Sequence, residues 1–390
     1  MTAALPVLIA GGGIGGLATA IALARHGIAS RVLERRAQFS EAGAGIQLGP
    51  NGVRVLQRLG VEADLAPFVG RPREIRVFSG GNGATLTRLP LGDWIEVRHG
   101  APYWVAHRQD LQSALLEAAR RSDLIELATG FDVGRFAEAD GAVRAEAESG
   151  TSLEGRALVC ADGVFSRSRS LVSQGARLRF AGKTAARAVL EAAAAPLLDA
   201  EAVGVWMAPD AHVVHYPVRA GREIAVVVIL DEDWQEEDWS APADIAKLHD
   251  GLARFAPALR TALAAAKDWR RWALFDGDPL DTWSRGRVTL LGDAAHPLLP
   301  FLAQGGSLAL EDAVTLAEAL AGAANNVEGA LAAYEKARRS RTARVMSAAR
   351  LNGRVYHLSG VAALARNAAL RVVPPKRIMA GYDWVYGWKA

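Results

Sequence analysis

Apolar positions come in short unbroken runs near the N-terminus and in alternating or helical patterns further on, and this change of period divides the chain. Residues 5–10 (LPVLIA) are continuously apolar, which predicts a strand buried on both faces. A glycine cluster follows. Residues 17–25 then alternate small and apolar positions as a buried helix does, before residues 30–34 (SRVLE) return to strand. Strand, tight turn, helix and parallel strand within roughly 30 residues make a βαβ opening. Helices are expected at 51–59, stopped by Gly60, and at 109–121, while 157–161 (ALVCA) reads as an interior parallel strand with Cys160 packed inside it. Between about 176 and 275 the pattern turns strand-like, at 202–207, 212–218 and 223–230, with one helix near 245–255. Residues 288–291 resume the parallel pattern, and 308–320 and 327–351 predict long helices. The expectation is an α/β chain in which a parallel-sheet domain (1–75, 98–175 and 280–350) is interrupted by an antiparallel-sheet domain (76–97 and 176–279). A helical tail, 351–390, completes it.

The length of 390 residues suits two or three units. With 51% hydrophobic and 22% charged residues, disordered and fibrous classes are excluded. The single cysteine, Cys160, excludes an internal disulfide and a multi-cysteine zinc site, and suits a reducing cytoplasm. The opening MTAALPVLIA has no basic n-region, and no apolar run approaches the ~18 residues of a membrane helix, so a cytoplasmic protein without an integral membrane segment is expected. The net charge of +3 hides an asymmetry. From Glu335 to Ala390 there are 12 Lys and Arg against 2 Asp and Glu, net +10, while the preceding residues hold 33 against 40, net −7. Because these arginines are spread among apolar residues at helical spacing, a solvated basic helix surface is expected, without a nucleic-acid partner.

Candidate chemistry begins at the glycines. Gly11, Gly13 and Gly16 form G-x-G-x-x-G between strand and helix, and Glu34 ends the next strand 23 residues after Gly11. Glycine lets the backbone turn tightly and approach a pyrophosphate, whose charge sits at the helix N-terminus, while the acid accepts from ribose hydroxyls. A dinucleotide site for FAD or NAD follows; Glu34 speaks against a 2′-phosphate there, although Arg35 and Arg36 come next. CADGVFSRSR at 160–169 and GDAAHP at 292–297 each follow an apolar strand, where an Asp can hydrogen-bond a ribityl hydroxyl or close a loop over the pyrophosphate. For Asp162 alone, an ordinary Asp-Gly turn is the better explanation. His212 and Tyr216 share one face of a strand, with Val214 between them and His215 pointing the other way. A hydrogen-bonded core pair and a functional pair both remain open. No metal site is expected, because the side chains of His212 and His215 diverge and no third ligand is near. There is no second G-x-G-x-x-G, no G-x-S-x-G of a serine hydrolase and no W-x-W-x-I-P of a halogenase.

In this order and at these separations, G-x-G-x-x-G, A-D-G-x-x-S and G-D-A-A-H-P resemble the group A flavin-dependent aromatic hydroxylases, within them the salicylate hydroxylase and 3-hydroxybenzoate 6-hydroxylase branch. The resemblance spans nearly the whole chain and includes AGAGIQLGPN at 42–51, HRQDL at 107–111 and PFLAQGGSLALED at 300–312. It implies a Rossmann-like FAD-binding domain with tightly bound FAD, and NADH or NADPH visiting the same cleft as co-substrate. It also implies a monomer or homodimer that hydroxylates a phenolic aromatic acid with O2 through a flavin C4a-hydroperoxide. By the same resemblance Arg108 reaches the FAD pyrophosphate, Asp162 serves FAD and the nicotinamide, and Asp293 binds the ribityl chain. Gly305 and Gly306, ahead of a helix beginning near Ser307, turn backbone donors toward the flavin pyrimidine edge, which becomes anionic on reduction. Ile14, Arg35, Gln47 and Pro300 complete the expected cofactor contacts. The branch carries a histidine and a tyrosine over the flavin at positions 212 and 216. His212, with Tyr216, is therefore the expected base favouring the phenolate, and Gln304 would orient substrate or peroxide. Ser168, Ala186 and Ala303 depart from the commoner valine, tryptophan and glycine without affecting FAD binding. Gln47 stands where hydroxynicotinate relatives have a catalytic histidine, which argues against that substrate. Alternatives are a hydroxylase of another aromatic or heterocyclic ring, and a non-catalytic flavin-binding redox sensor.

Overall fold

The computed structural model describes residues 5–40, 45–234, 236, 238–323 and 326–389; residues 1–4 ahead of the first strand, and 42–44 of the AGAGIQLGPN stretch, lie outside them. Strand Val7–Ala10 is buried along its whole length because it occupies the interior of a six-stranded sheet. It pairs in parallel with Ser30–Glu34 on one side and Ala157–Cys160 on the other, with Ile9 opposite Val32 and Val159. Ile125–Thr129 and Val288–Leu290 extend the parallel pairing, and Ser284–Arg285 closes one edge antiparallel. Helices Ile14–Arg25 and Gly305–Gly322 pack against each other. Leu17, Leu23, Leu310 and Leu316 are fully buried in the core they share with the sheet. A three-stranded antiparallel sheet, Val133–Ala139, Ala142–Ala147 and Ser152–Gly155, was not anticipated from the pattern. It sends Val143 and Ala145 into that core while its charged residues face outward.

The second sheet has eight strands, in the order Ser240–Pro242, Arg270–Gly277, Leu178–Glu191, Glu223–Asp231, Ala211–Val218, Ala202–Ala208, Glu74–Ser79, Thr85–Pro90. It is not wholly antiparallel as expected: Ala202–Ala208 pairs in parallel with Glu74–Ser79. Its alternation separates two faces. Val213 and Val226 pack into one apolar cluster, and Val205, Tyr216 and Val218 into another beneath the C-terminal helices.

Helix Gly305–Gly322 starts three residues before the expected 308, and helix Val327–Tyr356 runs five residues past the expected end at Leu351. Helices Gly360–Val372, Pro375–Ala380 and Asp383–Tyr386 follow. Arg344, Arg354, Arg371, Lys376 and Arg377 are exposed, as expected of a solvated basic surface, but Arg338 and Arg341 depart from it. Arg338 is fully buried, pairing with Asp312 and Glu311, and Arg341 donates to Glu311 and to the backbone carbonyl of Trp384. These arginines tie the last helices onto the fold because the carboxylates that they neutralise are themselves buried. No helix among the described residues is long and apolar enough to cross a membrane.

Candidate functional site

Backbone geometry explains the glycines. Gly11 has φ of 110°, and a Cβ there would sit 2.3 Å from the Ala161 carbonyl oxygen; a Cβ on Gly16 would sit 1.9 Å from the oxygen of Gly11. Strand, loop and helix therefore approach one another more closely than any side chain permits. Gly13 is the N-cap of helix Ile14–Arg25 and supplies no side-chain cap, so the first N–H groups are left for an anion. Ile14 is buried. At the end of the second strand Glu34 accepts from the Gly12 N–H (2.9 Å) and the Arg36 N–H (2.9 Å), which fixes its carboxylate beside the turn. Arg35 is exposed, and Arg108 opens helix Arg108–Arg120.

The two later motifs meet at the same sheet edge. Asp162 accepts a long bond from the Ser168 N–H (3.4 Å) through one oxygen; its other oxygen is buried without a partner among the described residues. Asp293 lies in the short turn Gly292–Ala294. Arg169, which the sequence reading did not single out, joins the two loops. It donates to the carbonyls of Ala294 (2.8 Å), Asp293 (2.7 Å) and Val164 (2.7 Å), and burial lowers its pKa despite Asp162 and Asp293. The histidine of GDAAHP is an anchor. His296 lies 2.6 Å from Asp312, which also accepts from the Gly292 N–H (3.1 Å) and Arg338 (2.6 Å). Burial disfavours the Asp312 carboxylate, but His296 and Arg338 outweigh it and hold its pKa down at about 2. Next to this turn, helix Gly305–Gly322 begins with no side-chain cap, and a Cβ on Gly305 would lie 3.8 Å from the Asp293 carboxylate.

Between this loop, the second sheet and the C-terminal helices lies a cavity of about 120 Å³, comparable to apolar cavities of roughly 150 Å³ that admit benzene. Val203, Val205, Val214 and Leu302 form apolar wall; Gln47, Tyr103, His212, Asn352, Tyr356, Tyr382 and Tyr386 bring polar groups to it. Of the expected site residues His212, Gln47 and Pro300 line it. The Tyr103 hydroxyl donates to Gln47 (2.6 Å), and burial pushes its pKa up. His212 is buried, and desolvation, reinforced by His357 and Lys183, holds its pKa well below the usual histidine range against the pull of Asp231. Its imidazole is therefore neutral. Tyr216 shares its strand face but stands outside the cavity wall, against Gly45, where a Cβ would be 2.3 Å from its ring. Burial raises its pKa against the opposing charges of Arg187 and Arg108. Gln304 is buried behind the wall, its side-chain oxygen accepting from Asn51 (2.8 Å). His215 faces the other way and accepts from the Trp206 indole (3.2 Å), a satisfied core histidine. Tyr103, Asn352, Tyr356, Tyr382 and Tyr386 were missed; the one available signal was the density of aromatic residues near the C-terminus.

The chain matches the model of the FAD binding domain family over residues 4–349. It is 38% identical to a 3-hydroxybenzoate 6-hydroxylase of Polaromonas naphthalenivorans (strain CJ2), covering 98% of this chain and 96% of the relative. Among solved structures it resembles Klebsiella pneumoniae HpxO complexed with FAD and uric acid, with TM-score 0.86, 28% identity, and 97% and 95% of the two chains covered. A salicylate hydroxylase substrate complex overlays with TM-score 0.85 across 100% and 97% of the chains at 24% identity, a likeness of fold alone. With the glycine turn, both aspartate loops and the one-ring cavity in one continuous fold, the chain belongs to the FAD binding domain family and is an FAD-dependent aromatic monooxygenase.

Proposed function

We propose that this monooxygenase hydroxylates a single-ring phenolic acid of the hydroxybenzoate kind, with NADH or NADPH as reductant and a reducing cytoplasm as its setting. The observation that carries the reading is a buried, neutral His212 in the wall of a cavity that admits one aromatic ring. The protein's own atoms fit FAD: one Asp162 oxygen lacks a partner, two helix starts lack side-chain caps, and Gly11 and Gly16 tolerate no Cβ. Gly11, Gly13, Ile14 and Gly16 would hold its pyrophosphate with Arg108, and Glu34 its ribose with Arg35 nearby. Asp162 and Asp293 would take hydroxyl groups along the chain, and Gln47, Pro300, Gly305 and Gly306 would flank the ring system. When bound, FAD supplies the activation of oxygen.

The residues do the rest. His212 accepts the phenol proton and raises the electron density of the ring; a neutral imidazole is the form that can do so. No Lys or Arg among the described residues lines the cavity, so tyrosine hydroxyls, Asn352 and Gln47 hold the acid's carboxylate by hydrogen bonds. Tyr216 supports His212 from the same strand, and Gln304, gripped by Asn51, sets the loop that carries Gly305. The relative named for 3-hydroxybenzoate supports this substrate class. The test is reconstitution with FAD and a screen of phenolic acids. The expected result is acid-stimulated NADH oxidation matched by hydroxylated product; a flavin-binding sensor would bind FAD with no such stimulation.

A further inference from the structure

His212 is the inner end of a chain of titratable groups that leaves the cavity. Its Nδ1 lies 2.7 Å from Nε2 of His357, the residue that caps the C-terminus of helix Val327–Tyr356. On the far side, Nδ1 of His357 lies 2.8 Å from a carboxylate oxygen of Asp231, which also pairs with Lys183. His357, Asp231 and Lys183 line a second cavity of about 740 Å³ on the outer surface, where Arg354 and Ser359 are exposed. Phe301 lines both cavities and stands between them. From the cavity of the ring to solvent there is thus an unbroken line: His212, His357, Asp231.

We propose that His357 and Asp231 are positioning residues that set the tautomer of His212 and carry the substrate's proton from the buried cavity to the outer one. This rests on the hydroxylase reading above. Hydrogen-bond roles follow from the only group in the chain that cannot donate. The Asp231 carboxylate accepts from Nδ1–H of His357, so Nε2 of His357 accepts from Nδ1–H of His212, and Nε2 of His212 keeps its lone pair for the cavity. When the phenol O–H bond breaks, a new N–H bond forms at Nε2 of His212. The Nδ1 proton of His212 passes to Nε2 of His357, and the Nδ1 proton of His357 passes to Asp231 and on to solvent. One proton enters and one leaves, and both imidazoles end neutral with their tautomers reversed, to be reset by the return of a proton or a ring rotation. The groups facing His357 come from four elements. They are His212 on Ala211–Val218, Asp231 on Glu223–Asp231, Lys183 on Leu178–Glu191, and Tyr356, Arg350 and Arg354 on its own helix; Asp210 also donates its backbone N–H to the His357 carbonyl. Three of these are cations, so Asp231 is the counter-charge on which the arriving proton depends.

The experiment compares FAD-loaded parent, His357→Gln and Asp231→Asn. It follows phenolate absorbance on substrate binding, the pH profile and solvent isotope effect of hydroxylation, and melting temperature. Expected in both variants is an unchanged KM with kcat lower by ~10- to 100-fold, rising with pH where the parent is flat. In His357→Ala, imidazole added to the buffer enters the outer cavity and restores rate, a rescue that a packing role would not give. Parent-like pH profile and isotope effect in His357→Gln, with only melting temperature changed, overturn the relay while leaving the hydroxylase intact. A parent that hydroxylates no phenolic acid overturns both.

Discussion

A carboxylate oxygen buried without a partner costs free energy, and Asp162 carries one, among the described residues, at the edge of the glycine turn. Such an atom is tolerated where a ligand completes it, and this supports the proposed place of Asp162 beside the cofactor. Asp293 beside it is held by its own backbone, through Arg169, so its carboxylate is free to act on a ligand. Replacing Asp293 with Ala should therefore leave the fold intact and weaken FAD by about 10- to 100-fold, since hydrogen bonds to a charged group contribute roughly 1.5–3 kcal/mol. Equilibrium titration of apoprotein with FAD checks this, and unchanged affinity would remove Asp293 from the site. At His212 the expectation is different in kind. His212→Ala should retain FAD and lose hydroxylation by about 100-fold or more, with reducing equivalents diverted to hydrogen peroxide. Tyr216→Phe, outside the cavity wall, should cost much less. Peroxide yield measured with melting temperature on the same preparations separates lost chemistry from lost packing.

Elements meet at the C-terminal ends of the parallel strands, where loops carry the candidate chemistry and helices pin the loops. The turn holding Asp293 is pinned by Asp312 of helix Gly305–Gly322, which is pinned in turn by Arg338 of helix Val327–Tyr356. Burial opposes the Arg338 charge, yet Asp312 and Glu311 raise its pKa above the ordinary arginine value, as an interior cation between two carboxylates requires. Removing one partner of a buried pair leaves the other uncompensated, typically by about 3–5 kcal/mol. Arg338→Met should lose stability at the low end of that range, because Arg341 still neutralises part of the network. FAD affinity should fall with it. Urea unfolding and FAD titration read the two effects, and an unchanged midpoint would mean that the network contributes no net stability.

Across the whole molecule the buried histidines and carboxylates set a response to acid. Burial, opposed by Asp199 and reinforced by Arg76, lowers the His215 pKa from 6.5 to about 4, and His212 is lowered in the same direction. The unfolded chain therefore binds protons near pH 6.5 that the folded protein refuses, so stability declines as pH falls from about 6.5 to 4. Asp312 acts lower. Its pKa is depressed from 3.8 to about 2, so its contribution is fully present above 3.8 and is lost as pH falls through about 2. Melting temperature against pH should show both declines, and His215→Gln should flatten the first. A parent curve flat between pH 6.5 and 4 would contradict the burial of neutral histidine.

Local order was legible in the amino-acid sequence because it is decided over a few residues. The glycine turn, the apolar parallel strands and the helix near position 308 are fixed by backbone sterics, burial on both faces and a 3.6-residue period, all of which act within one element. The side of the strand taken by His212 and Tyr216 was legible for the same reason, as was the opposite direction of His215. Tertiary structure alone decided what each face meets. The 133–155 sheet was hidden because its strands are short and half polar, and the parallel pairing of Ala202–Ala208 with Glu74–Ser79 depends on which edge was free. The cavity draws its wall from segments between Gln47 and Tyr386, and His212 meets His357 across 145 residues of chain. No local pattern encodes such a contact, because packing of one sheet face against a distant helix end creates it. The basic C-terminal segment makes the same point: most of its charges lie on the surface as expected, but only the buried Asp312 and Glu311 decided that Arg338 would be interior.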